Sequence, residues 1–211
     1  MDFQRPYITR EDAARAAEGF LNEYHPSRRV PIPIELLAEK AYGLFIVPET
    51  LTDVEPSRHG YISFDQNSIF VDRQVHDHPS PNRYRSTIAH ELGHRVLHAE
   101  VFAALRFNSL QEWKAFILRS QEDEVIREMI EWLQTQAEWF AGYVLVPMSE
   151  LRDLVERNRE KCRQEGLPVA PPSQAVVDAV VGSLAKAFQV SQLLVKTRLN
   201  QEKMIERTLL D

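Results

Sequence analysis

The chain has little that would cross-link it, anchor it or draw it to nucleic acid. Only 1 of its 211 residues is cysteine, so Cys162 has no intramolecular disulfide partner, which fits a reducing compartment. Glu160, Lys161 and Arg163 surround that thiol, and the expectation is an exposed spectator. No apolar run approaches the roughly 20 residues a membrane span needs, and no basic-then-apolar leader opens the sequence. A soluble cytoplasmic protein that does not engage membranes is expected. An excess of positive charge is missing too: 25 Lys+Arg against 31 Asp+Glu give a net charge of −6. That argues against a surface made as a whole for nucleic acid, so a nucleic-acid partner is not expected. The hydrophobic share, 44%, and the charged share, 27%, suit a globular protein large enough to bury a core.

What the chain does have is His90-Glu91-Leu92-Gly93-His94. Helix residues four apart share a face, so His90 and His94 can aim two imidazoles at one point, as a Zn²⁺ site requires. Glu91 turns to the neighbouring face, where a carboxylate can take a proton from metal-bound water. Ile88, Ala89, Leu92, Val96 and Leu97 form an apolar side that would bury the segment. Gly93 is small where a neighbour would come close, and Pro79, Ser80 and Pro81 mark the helix start. His98 continues the series, but two turns separate it from His90, too far to share one ion. It is expected to cap the helix or to support a ligand. His76, Asp77 and His78 sit beside Pro79 in a turn-rich stretch and read as loop.

Elsewhere the pattern is helix-rich with one patch of strand. Thr9 to Asp12 looks like a capping box for a helix reaching Tyr24. Glu35 to Tyr42 reads as a short helix stopped by Gly43. Leu44 to Val47 reads as a buried strand before Pro48, and residues 49 to 57, with Pro56, as a loop. Two alternating runs, Gly60 to Phe64 and Ser68 to Asp72, flank a turn and predict a β-hairpin. An edge strand beside a metal site could hold an extended peptide by main-chain hydrogen bonds. Past a weakly patterned stretch from Phe102 to Arg119, with a turn at Asn108-Ser109, a long helix is expected from Gln121 to Val146. Its apolar stripe runs from Val125 through Leu133, Ala137 and Phe140 to Leu145. Met148 to Glu165 is a charged helix, and residues 169 to 172 form a linker. Two further helices follow, over residues 173 to 188 and 192 to 202, with Ser191 as N-cap. Their spacing resembles a helix-turn-helix, and Lys196, Arg198, Lys203 and Arg207 make that end basic. Leu193, Leu194, Val195 and Leu199 leave few positions to read bases, which favours packing on the core or a protein partner over DNA contact.

The run Ala89 to His98, followed by Gln136-Ala137-Glu138-Trp139-Phe140-Ala141 and the ending Leu145-Val146-Pro147, resembles the ImmA/IrrE family of zinc metallopeptidases. The likeness extends over roughly residues 30 to 200. It implies an α+β, mostly helical fold, with a metallopeptidase core over residues 1 to 147 and a helical segment, 148 to 211, packed on it. It further implies Zn²⁺ held by His90 and His94, Glu91 as general base, and a helix-turn-helix transcriptional repressor as the protein substrate. One position departs. The family's third ligand, a Glu, falls at Gln134, with Glu138 one turn on. Glu138 is taken as the third ligand; the alternative is weak binding through the Gln134 amide, with Glu138 orienting a His and activity reduced or lost. Glu131 is the reserve. Tyr84, Tyr143 or a His could assist at the oxyanion. Besides the peptidase, a metal-poor protein that binds a repressor or antitoxin, or a DNA-binding regulator using the last two helices, would fit these residues.

Overall fold

The structure, a computed structural model, describes residues 7–51, 59–77, 81–105, 109, 111–112, 115, 123–166 and 174–204. The expected linker at 169–172, the loop at 52–57, His78, the helix-start residues Pro79 and Ser80, and Arg207 lie outside them, as do Asn108, Gln121 and Glu122. The described residues form a mostly helical α+β fold around one small sheet.

Helix α1 (Arg10–Tyr24) begins at the expected capping box. Thr9 Oγ1 accepts from the Asp12 amide at 3.1 Å, and the Asp12 carboxylate accepts from the Thr9 amide at 2.8 Å. Helix α2 (Ile34–Tyr42) stops at Gly43, whose φ of 64° is left-handed. Strands β1 (Phe45–Glu49), β2 (Gly60–Ile62) and β3 (Ser68–Asp72) lie in the order β1-β3-β2. The hairpin is present: β2 runs antiparallel to β3, with Tyr61 opposite Phe70 and their rings stacked at 4.8 Å. β1 differs from expectation. It is an outer strand paired in parallel with β3, half exposed and continuing through Pro48. A proline is tolerated there because an outer strand keeps one side free of ladder bonds. Phe45 is 70% exposed, and the buried residue of that run is Leu44.

After the short α3 (Arg73–His76) comes α4 (Pro81–Leu97), which carries the His pair, and then α5 (Ala99–Leu105). Helix α6 (Glu124–Leu145) starts at Asp123, whose side chain accepts from the amides of Val125 and Ile126. Its stripe is buried at Met129, Leu133, Ala137, Phe140 and Val144, whereas Val125, expected to belong to it, is exposed in the first turn. Helix α4 is central, with α6 against one side and α2, β2 and β3 against others. Two glycines set those distances. A Cβ on Gly93 would sit 3.0 Å from the Ala137 carbonyl oxygen and 3.1 Å from its Cα, so α4 and α6 touch backbone to backbone. A Cβ on Gly60 would meet Thr87 Cγ2 at 2.5 Å, so β2 rides directly over α4.

Helices α7 (Met148–Gln164), α8 (Gln174–Phe188) and α9 (Gln192–Gln201) complete the described fold. Ser191 caps α9 as expected, accepting from the Leu194 amide at 3.1 Å. Arg85, on α4, is buried and donates to the carbonyls of Gln189 at 3.2 Å and Phe188 at 3.5 Å. A cation thus covers the C-terminal carbonyls of α8, where the helix dipole favours it. Two expectations change here. Arg198 does not belong to a basic surface: it is 1% exposed, lies 3.9 Å over the Tyr143 ring and pairs with Glu202 at 2.7 Å. Lys196 is paired with Asp178 at 3.2 Å. Cys162 is half-buried against the core margin rather than exposed, because its helix face packs inward there.

The glycine contact yields a stability prediction. Gly93→Ala should cost about 1–3 kcal/mol, since neither the Ala137 backbone nor Phe140 can recede cheaply. Urea denaturation compares the two proteins; a midpoint unchanged by the substitution would mean the helices have room to part.

Candidate active site

Helix α4 delivers His90, Glu91 and His94 to one cleft of about 300 Å³, and β2 forms the facing lip at Gly60, Tyr61 and Ile62. The His90 and His94 rings lie 4.9 Å apart and nearly perpendicular, at 79°, as expected for side chains one helical turn apart. Glu91 is 6% exposed and lines the same cleft. A Cβ on Gly60 would come 3.8 Å from Glu91 Cγ, so the start of β2 passes beside the carboxylate stem.

Helix α6 forms the opposite wall. Gln134 reaches His90: the imidazole Nε2 lies 2.7 Å from the amide Oε1. Since the carbonyl oxygen can only accept, Nε2 of His90 carries the proton in this arrangement. Glu138 lines the cleft one turn further along α6, but the oxygen beside His90 is that of Gln134. Among the described residues, no three His, Cys, Asp or Glu side chains stand close enough together to hold a metal ion. Gln134 and Glu138 both stand at the cleft beside the two imidazoles, and a set closed by Gln134 would consist of two imidazoles and a neutral amide oxygen. Such a set fits a borderline ion such as zinc in type and number, but with one negative charge fewer than a set closed by a carboxylate. His76 takes no part; its Nδ1 bonds Asp77 at 2.8 Å and its ring packs on Tyr84 at 5.4 Å.

Behind the cleft the His series goes on. His98 follows the last turn of α4, fully buried, with Nδ1 at 3.0 Å from His94 Nδ1 and Nε2 at 2.8 Å from Gln136 Oε1. The Gln136 amide nitrogen donates to the carbonyl of Ile8, just before α1, at 3.1 Å. Phe102 closes the back of the His94 ring, edge-on at 5.9 Å.

The family model described as the IrrE N-terminal-like domain, a peptidase family, matches residues 53–200. The chain belongs to that family. No curated protein matches the sequence. Among solved structures, a Mycobacterium tuberculosis transcriptional regulator shares the fold with a TM-score of 0.55 at 17% identity, over 90% of this chain and 46% of that one. The present chain thus spans less than half the length of that structure.

Within this IrrE-type domain, the residue that sequence reasoning passed over is Gln136. It is 0% exposed, on the same α6 face as Leu133, Ala137 and Phe140. The signal was there: a carboxamide in the middle of an apolar stripe has to find partners inside the protein. Tyr84 and Tyr143, considered for the oxyanion, are not among the residues lining the cleft; Tyr143 lies under Arg198 and burial pushes Tyr84 up to about 12.

His98 makes a pH prediction. Burial holds its pKa down at about 4, against a smaller upward pull from Gln136 and a further depression by His90. The unfolded chain protonates this ring near pH 6.5 and the folded one near 4, so between those values the unfolded state binds more protons. The metal-free protein should lose about 3 kcal/mol as pH falls through that window and no more from this group below it. Urea denaturation of chelator-treated protein at pH 7 and pH 4.5 tests this against His98→Asn, which should show a shallower loss. Equal losses in the two proteins would rule out His98 as the source.

Proposed function

We propose that this domain is a zinc-dependent metallo-endopeptidase acting on a protein substrate. The observation that carries the reading is the perpendicular His90–His94 pair with Glu91 in the wall of the same cleft. His90 and His94 would hold the ion, and the third protein donor would be the Gln134 oxygen that already faces His90; Glu138, one turn on, is the competing donor. Zinc, when bound, supplies Lewis acidity that polarises a scissile carbonyl and lowers the pKa of water. Glu91 then accepts the proton of the attacking water and returns it to the leaving amine. An extended substrate would add by main-chain hydrogen bonds to the side of β2 that, among the described residues, no strand covers, which would lay its backbone across the cleft. Met129, Leu133 and Phe102 supply apolar walls for its side chains.

The resemblance implies a helix-turn-helix repressor as substrate, and a structural neighbour described as a transcriptional regulator is compatible with work beside gene control. A second reading has its own support in the His90–Gln134 hydrogen bond. In it the cleft stays metal-poor and binds a repressor or antitoxin segment without cutting it.

Metal analysis separates the two. The purified protein, loaded with zinc and freed of excess, should hold one ion per chain, lose it in His94→Ala, and keep it in Glu91→Gln. Gln134→Glu should tighten binding by on the order of 10–100-fold by adding a charge to the ligand set. Loss of the ion in Glu138→Ala but not in Gln134→Ala would move the third donor to Glu138. No zinc in the wild type at millimolar supply would overturn the peptidase reading in favour of the binding protein. For catalysis, a proteome-derived peptide library is incubated with zinc-loaded protein and the new termini are read by mass spectrometry. Cuts made by the wild type and absent with Glu91→Gln are expected.

A further inference from the structure

We propose that His98 and Gln136 act as positioning residues that fix the tautomer of His94, so that its Nε2 bears a lone pair before any ion arrives. The inference rests on His94 being a ligand in the reading above for its use, but not for its test. The Ile8 carbonyl can only accept, so the Gln136 amide must turn its nitrogen toward it, at 3.1 Å. That leaves Oε1 facing His98 Nε2 at 2.8 Å, and an oxygen there can only accept. His98 Nε2 therefore carries the hydrogen. Its ring neighbours are an imidazole and a carboxamide, and the ring is fully buried, so it holds a single proton and its Nδ1 is an acceptor. Across the 3.0 Å contact, His94 Nδ1 must then be the donor. A neutral imidazole that donates from Nδ1 has its lone pair on Nε2.

The outcome contrasts with His90, which donates from Nε2 to Gln134. One ring of the pair is thus set for an ion by a chain of hydrogen bonds running back to Ile8, ahead of α1, while the other would first have to move its proton from Nε2 to Nδ1. Turning the Gln136 amide over would set its NH₂ against the proton on His98 and its oxygen against the Ile8 oxygen. No such mismatch arises in the order described.

The test reads the hydrogens directly in metal-free protein. Histidine-selective ¹⁵N labelling should show His94 protonated on Nδ1 and bare on Nε2, with a coupling across the Nδ1–H···Nδ1 bond to His98. Gln136→Met keeps the volume and removes the acceptor; it should leave His98 and His94 as tautomer mixtures and weaken zinc binding about 10–100-fold. His94 protonated on Nε2 in the wild type would overturn the proposal, whatever the variant does. So would an unchanged His94 spectrum in Gln136→Met. If that variant does not fold, the wild-type coupling decides alone. A protein that takes up no zinc but shows the Nδ1-protonated His94 would sink the peptidase reading and leave the relay standing.

Discussion

The contact on which the site depends is the one between two backbones, α4 at Gly93 and α6 at Ala137. It brings the helices closer than side-chain packing would allow, and both polar links across that interface need this closeness. Gln134 meets His90 on the cleft side and Gln136 meets His98 on the far side. Short amides can bridge only because the axes are near. Apolar packing of Ile88, Leu92 and Phe140 around the seam supplies the attraction, while the glycine decides the distance. The facing lip of the cleft depends on a similar device on another face of α4, where Gly60 lets β2 lie against Thr87.

A ligand set closed by Gln134 instead of a carboxylate would lack a negative charge, and affinity follows ligand charge. With its tautomer fixed as proposed, His94 would offset part of this by avoiding the loss of tautomer choice on binding. His90 does not share that advantage, since its proton is committed to Gln134. Uptake of an ion through Nε2 of His90 would therefore require that proton to move to Nδ1, a change of tautomer with no net release.

Much of this was legible in the sequence. Spacing alone put His90, Glu91 and His94 on one helix, and the caps at Thr9, Gly43 and Ser191 marked helix ends where the structure has them. Turn chemistry at Asp65 to Asn67 predicted the hairpin. What spacing could not supply was anything set by which helix faces which. Gln134 and Glu138 share a face of α6, and periodicity cannot say which of them is level with His90. Arg198 reads as basic surface in a one-dimensional scan because its packing partner, Tyr143, lies far off in sequence. Gln136 was hidden for the same reason, since its partners are at residues 8 and 98.

The bond from Gln136 to Ile8 joins residues 128 apart. On a ribosome, the chain is made from the amino end, and the His pair is exposed well before α6 exists. For that interval the imidazoles of α4 have none of their later neighbours from α6, and the cleft has one wall. Assembly of the site is thus a late, long-range event in the life of the chain, with a high loop-closure cost. A nascent chain with an incomplete α6 would carry the histidine motif without a working centre, so order of synthesis delays any peptidase activity until most of the domain has been built.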